Sequence, residues 1–174
     1  ARRKVDLSAL VMGQIVNLAV KEGDKVDRGQ LLLQIDRAQL AAQTAGRESA
    51  LAAMRSDLAA SRSTAEQARR DFHRAKQNWD AKILSEAEYQ KARSVLETAE
   101  ANLSAAEQRL RETGANLAAS RDSLSKTTVT APIAGMVTFL PVKEGEVTVI
   151  GTMNNPGTQL LTISDMSEVE AVMM

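Results

Sequence analysis

Little in this chain is equipped to make or break bonds. His73 is the only histidine and cysteine is absent, so a Ser-His relay, a thiolate nucleophile or a zinc site would have to be assembled around one imidazole. That imidazole stands in the polar run Arg69-Arg70-Asp71-Phe72-His73-Arg74-Ala75-Lys76, with no second ligand type three or four residues away. The reading is of a protein that is not an enzyme, with no catalytic, cofactor-binding or metal-ligating residue and no cofactor. Chemistry of another kind is concentrated nearby. Phe72, Trp79 and Tyr89, three of the four aromatics, fall within eighteen residues of one another, beside Arg70 and Arg74. Aromatics next to arginine are the usual anchors of protein–protein contacts. The same rings could instead fill apolar positions where two helices close, and the cluster Arg69, Arg70, His73, Arg74 and Lys76 reads either as a basic docking face or as a solvated helix face.

The elements that must position these residues are helical. From Arg37 to about Asp80 there is no proline, and Leu51, Leu58, Ala65, Phe72 and Trp79 recur at heptad spacing with Met54, Ser61, Ala68 and Ala75 as companions. Tyr89, Leu96, Leu103, Leu110, Leu117 and Leu124 repeat the pattern, with Ala92, Ala99 and Ala106. Such a/d seams predict two long helices packed together, each on the order of 60 Å long at ~1.5 Å per residue. The break near Asp80-Ala81-Lys82-Ile83-Leu84 is short, which makes the helices antiparallel neighbours. Ser85 and Glu88 have the spacing of a capping box, and Asp36 is a candidate N-cap for the first helix. Gly46 and Gly114 fall inside the helices, as tolerated glycines or as weak points. Off-seam alanines such as Ala41, Ala45, Ala52 and Ala59 could serve neighbouring hairpins or simply favour helix.

Around this insert the same β motif occurs twice. Gly13-Gln14-Ile15, Val20-Lys21-Glu22-Gly23 and Gly29-Gln30-Leu31-Leu32 are matched by Gly135-Met136-Val137, Val142-Lys143-Glu144-Gly145 and Gly151, then, after a seven-residue insertion, Gln159-Leu160-Leu161. Neither half is large enough to bury its own apolar face, so the two must meet in space. Val5-Asp6-Leu7 and Val169-Glu170-Ala171-Val172-Met173 read as strands without neighbouring partners, as expected of a piece of a longer protein. The expected domains are 1–10 as a strand remnant of a flanking domain, 11–36 plus 127–165 as the β domain, 37–126 as the helical hairpin with its tip at about 78–86, and 166–174 as the start of a truncated one; that the flanking domain is a β-barrel is what the family resemblance given below implies.

Charge narrows the function. Lys plus Arg and Asp plus Glu are equal at 22 each, so nothing draws the chain as a whole toward nucleic acid or an anionic membrane, and no nucleic-acid partner is expected. No run approaches the length of apolar residues that spans a bilayer.

The Gly-x-Ile/Val, Val-Lys-Glu-Gly and Gly-Gln-Leu-Leu stretches resemble the halves of a biotinyl/lipoyl domain, whose joining hairpin carries the modified lysine. Here the helical insert occupies that position, between Ile35-Asp36 and Thr128-Val129-Thr130-Ala131-Pro132. Over the whole chain the resemblance is to the periplasmic adaptor, or membrane fusion, proteins (HlyD-like) of bacterial tripartite efflux pumps and type I secretion systems. It is carried by Val11-Met12-Gly13-Gln14-Ile15, Val20-Lys21-Glu22-Gly23-Asp24-Lys25-Val26, Thr130-Ala131-Pro132-Ile133-Ala134-Gly135 and Leu160-Leu161-Thr162-Ile163-Ser164-Asp165-Met166. Met12 departs from the small residue usual there. The loop Asn154-Asn155-Pro156-Gly157 and the closing Asp165-Met166-Ser167 look most like adaptors of macrolide-type ABC exporters.

The resemblance implies an α+β fold: a split lipoyl-like β-sandwich with a long antiparallel α-helical hairpin between its halves. It also implies the partners, a TolC-like outer-membrane channel and an inner-membrane transporter of the ABC or RND class. A hexamer of the chain in the periplasm, anchored to the inner membrane, would join them. The family's tip motif of Arg, Leu and Ser falls on Arg74, on Asn78 or Trp79, and on Ser85, with Phe72, Tyr89 and Arg70 as supporting tip residues. The competing readings are a biotinyl- or lipoyl-type carrier with an unusual insertion and a generic coiled-coil structural protein.

Overall fold

The computed structural model describes residues 4–151 and 157–165. The elements run β1 (Lys4–Ser8), β2 (Gly13–Leu18), β3 (Lys25–Val26), β4 (Leu31–Ile35), α1 (Ala38–Asp80), α2 (Glu86–Ser125), β5 (Thr128–Thr130), β6 (Gly135–Phe139), β7 (Val147–Thr148) and β8 (Gln159–Ser164). They divide into two compact units, one holding all the strands and the helix roots, the other spanning Thr44–Ser120. The fold class is the one expected, α+β with the helices inserted between two halves of a β-sandwich.

Each of the two antiparallel sheets is woven from both halves of the repeat. One has the order β1-β8-β6-β3 and the other β5-β4-β2-β7, so exchanging each strand for its counterpart in the other half turns one sheet into the other. The physical basis is burial. Ile15, Leu33 and Ile35 from one sheet and Val137, Leu161 and Ile163 from the other are at most 1% exposed and belong to a single cluster. The tight turns repeat too. Gly23 and Gly145 adopt φ of 93° and 90°, a left-handed backbone that favours glycine. Their N–H groups donate to the carbonyls of Val137 and Ile15, each at 2.8 Å. Each turn is thereby tied to a strand of the opposite half.

Two details differ from the sequence reading. The strand at Val5-Asp6-Leu7, expected to be a remnant of a flanking barrel, lies in the sandwich: β1 pairs antiparallel with β8, Val5 opposite Ile163 and Leu7 opposite Leu161. It is the counterpart of β5, which pairs with β4 in the same way, Val129 opposite Leu33. Ala9 and Ala131 follow these strands, both buried, and donate to Thr158 and Gln30 carbonyls at 2.9 Å. The repeat therefore begins one strand earlier than the glycine motif suggests. The insertion is also six residues, not seven, because Ile15 faces Ile35 and Val137 faces Ile163 across their ladders. Core side chains set this register and the Gln-Leu-Leu match does not. Asn154, Asn155, Pro156, Met166, Ser167 and the expected strand 169–173, with the rest of 166–174, lie outside the described residues.

In the second unit α1 and α2 run antiparallel along the expected seam. Ala65 and Ala68 pack against Ala99, with Leu96 and Leu103 flanking them. Thr44 and Ser120 hydroxyls meet at 3.0 Å near the roots, and Arg69 reaches Glu100 at 2.8 Å across the helices. Alanine at the closest layers keeps the helix axes near each other, which leucine there would not allow. Asp36 caps α1, its Oδ1 accepting the Ala38 N–H at 2.9 Å.

The two kinds of glycine should respond oppositely to a methyl group. A Cβ on Gly46 would meet nothing within 4 Å, whereas one on Gly135 would lie 2.6 Å from the Ser164 carbonyl oxygen. Gly46→Ala is expected to stabilise the protein by about 1 kcal/mol, and Gly135→Ala to destabilise it by about 1–3 kcal/mol, in urea unfolding. A pH effect follows from Asp6. The Thr162 hydroxyl donates to its Oδ1 at 2.6 Å and holds the carboxyl below its ordinary value, with Lys4 adding a smaller push the same way. A lowered folded pKa stabilises above the unfolded value and is lost as pH falls through the folded one. Thr162→Val should therefore melt below the parent at pH 6, with the gap narrowing below about pH 4; a constant gap would sink the assignment.

Candidate docking site at the hairpin tip

The turn between the helices is built from backbone hydrogen bonds. The Ile83 N–H donates to the Asn78 carbonyl and the Lys82 N–H to the Trp79 carbonyl, both at 2.9 Å. This 6→1 and 5→2 pair is a Schellman motif with Lys82 as C′ and Ile83 as C″. Lys82 carries the positive φ of 61° that the motif demands. α2 then starts on the expected capping box. The Glu88 N–H donates to Ser85 Oγ at 3.3 Å, and the Ser85 N–H and hydroxyl donate to Glu88 Oε2 at 3.2 and 2.7 Å. The Ser85 hydroxyl, then its backbone N–H, hold the Glu88 carboxyl below its ordinary value.

The aromatics meet across the closing seam. Phe72 and Tyr89 have ring centroids 5.6 Å apart, and Trp79 stacks on Tyr89 at 5.4 Å and 21°. Phe72 and Tyr89 are half-buried between the helices, while Trp79 remains 38% exposed. One edge of this stack is thus packing and the other is surface. Arg74 pairs with Asp71 one turn back, and Arg70 donates to Gln67 Oε1 at 2.8 Å. Arg74 and Asn78, four residues apart, share an exposed helix face. Trp79 turns instead toward α2. Of the candidate residues the structure therefore brings Phe72, Trp79 and Tyr89 into contact, sets Arg74 and Asn78 together on another face, and places Ser85 at the start of the second helix. His73 is exposed, and among the described residues no group of three or more His, Cys, Asp or Glu side chains is placed to hold a metal.

Lys82 and Ile83 were not singled out from the sequence. Ile83 is 77% exposed, and the available signal was an isoleucine outside both heptad seams in a turn without glycine.

The family comparison covers both halves of the sandwich and the helices between them. Residues 3–164 match the model of the RND membrane fusion protein barrel-sandwich hybrid domain. The chain belongs to the membrane fusion protein family. It is 30% identical over 167 residues to the macrolide export protein MacA of Escherichia coli O157:H7, covering 96% of this chain and 44% of that protein. The MacA of Yersinia pestis is 33% identical over 174 residues, with the same coverage. The crystal structure of MacA from Actinobacillus actinomycetemcomitans superposes with a TM-score of 0.84 at 26% identity, over 94% of this chain and 49% of that one. This membrane fusion protein chain thus spans less than half the length of these relatives. Among the described residues no helix is long and apolar enough to cross a membrane.

The cap should be separable from the stack. Ser85→Ala is expected to cost about 0.5–2 kcal/mol of hairpin stability and to raise the Glu88 pKa, read by thermal melting and by carboxyl NMR titration. An unshifted Glu88 titration would contradict the capping geometry.

Proposed function

We propose that the chain is part of a periplasmic adaptor of a tripartite efflux pump or type I secretion system, joining an inner-membrane transporter to a TolC-like outer-membrane channel through its hairpin tip. The observation that carries this reading is the likeness to the macrolide export proteins, which runs through the whole hairpin as well as both β halves. An ABC transporter is the partner we read, on the resemblance to adaptors of macrolide-type exporters, while the matched family model carries the RND name. The adaptor role needs no catalytic group: the helices carry the contact surface, and the pairing of β4 with β5 holds their roots together.

At the tip, Arg74, Asn78, Trp79 and Ser85 are the proposed contact residues, supported by Phe72, Tyr89 and Arg70. Arg74 and Asn78 offer a donor-rich face, and the exposed side of Trp79 offers an aromatic anchor. Ser85 serves as the helix cap and as a contact at once, since its exposed side retains acceptor capacity. In the assembled pump, six copies side by side would form a periplasmic duct anchored to the inner membrane.

Cysteine crosslinking between the tip and the channel tests the assignment. Arg74→Asp is expected to abolish the crosslink while circular dichroism shows the hairpin intact, because Arg74 is exposed and pairs only along its own helix. An unchanged crosslink would count against this docking site.

A further inference from the structure

The Schellman turn normally explains its own apolar residue: the side chain at C″ packs against C3 or C4 of the helix it ends. Here C″ is Ile83, but C3 is Asn78 and C4 is Gln77, both polar. Ile83 finds no such cover and stands 77% exposed, more than any other large apolar side chain among the described residues. The turn that presents it is strained as well. Lys82 occupies the left-handed C′ position, φ 61°, where glycine is usual. A costly backbone that displays an uncovered apolar side chain is the pattern expected of a binding element, not of a passive linker.

We propose that Ile83 is the apolar anchor of the tip, a specificity-determining contact that enters an apolar recess on the outer-membrane channel beside the exposed edge of Trp79. The proposal rests on the docking reading above and adds a residue to it. A protein recess fits better than a lipid surface. Counting Asp80, Lys82 and Glu86, the turn and its flanks carry one more carboxylate than ammonium, which gives anionic headgroups no net attraction, and Trp79, stacked on Tyr89, is held back from inserting as a free interfacial ring.

The test measures binding of the chain to a purified TolC-type channel in detergent by biolayer interferometry, alongside vesicles of phosphatidylethanolamine and phosphatidylglycerol. Ile83→Asp is expected to weaken channel binding tenfold or more, Ile83→Leu by no more than about twofold, and both to leave the unfolding midpoint unchanged because the side chain is uncovered. Parent-like channel binding by Ile83→Asp alongside weakened binding by Arg74→Asp would overturn the anchor and leave the docking reading standing. Parent-like binding by both variants, or no binding by the parent chain, would overturn both. Vesicle binding that Ile83→Asp alone removes, with channel binding intact, would overturn the anchor in favour of lipid.

Discussion

The structure depends on one constraint: neither half of the β unit can bury its apolar residues without the other. Each sheet takes two strands from each half, and the pairs β2–β7 and β6–β3 cross between halves at the same two places. Everything between the halves must therefore leave and return at fixed points, β4 and β5, whose pairing closes the sandwich at the roots of the helices. A long helical pair satisfies that requirement because its two ends lie side by side. The insert is free to be as long as its seam is continuous, since it adds no strand that the sandwich must accommodate.

The hairpin uses a different economy of packing. Its middle is held by alanine layers, Ala65, Ala68, Ala99 and Ala106, which bring the helices close but bury little area each. Leucines such as Leu96 and Leu103 flank these layers, and the hairpin's aromatic side chains are kept for the tip, where Phe72, Tyr89 and Trp79 form a ladder of rings. Stacking there ties the two helix ends together, and it leaves one ring partly exposed. The side chains that stiffen the end of the hairpin are thus the same ones proposed as its contact surface.

The internal symmetry is closest in the backbone and looser in the side chains. Asp6 accepts a hydrogen bond from Thr162, while at the matching place Thr128 donates to Gln34 Oε1 at 3.0 Å. Lys21 and Lys143 N–H groups are both capped by the acid three residues on, Asp24 in one half and Glu146 in the other. A donor–acceptor relation is preserved while the residues that supply it change, because the ladder geometry fixes where a polar atom must point but not which side chain brings it.

Much of this was legible in the residues. Heptad spacing located both helices and their seam, Ser85 and Glu88 marked the start of α2, and the Val-Lys-Glu-Gly copies marked two halves of one sandwich. These are local patterns, and local geometry enforces them. What the chain order could not give was register and partnership. The place of β1 beside β8, more than 150 residues away, and the six-residue offset of β8 depend on which buried isoleucine faces which. The conflict at the tip was equally hidden: only folding shows that Trp79 is drawn to Tyr89, that Lys82 takes a left-handed backbone, and that Ile83 is left uncovered. The sequence by itself determined the elements and the family, because periodicity and turn chemistry act over a few residues. The tertiary structure alone decided which side chains remain exposed at the tip, because exposure is set by contacts between segments far apart along the chain.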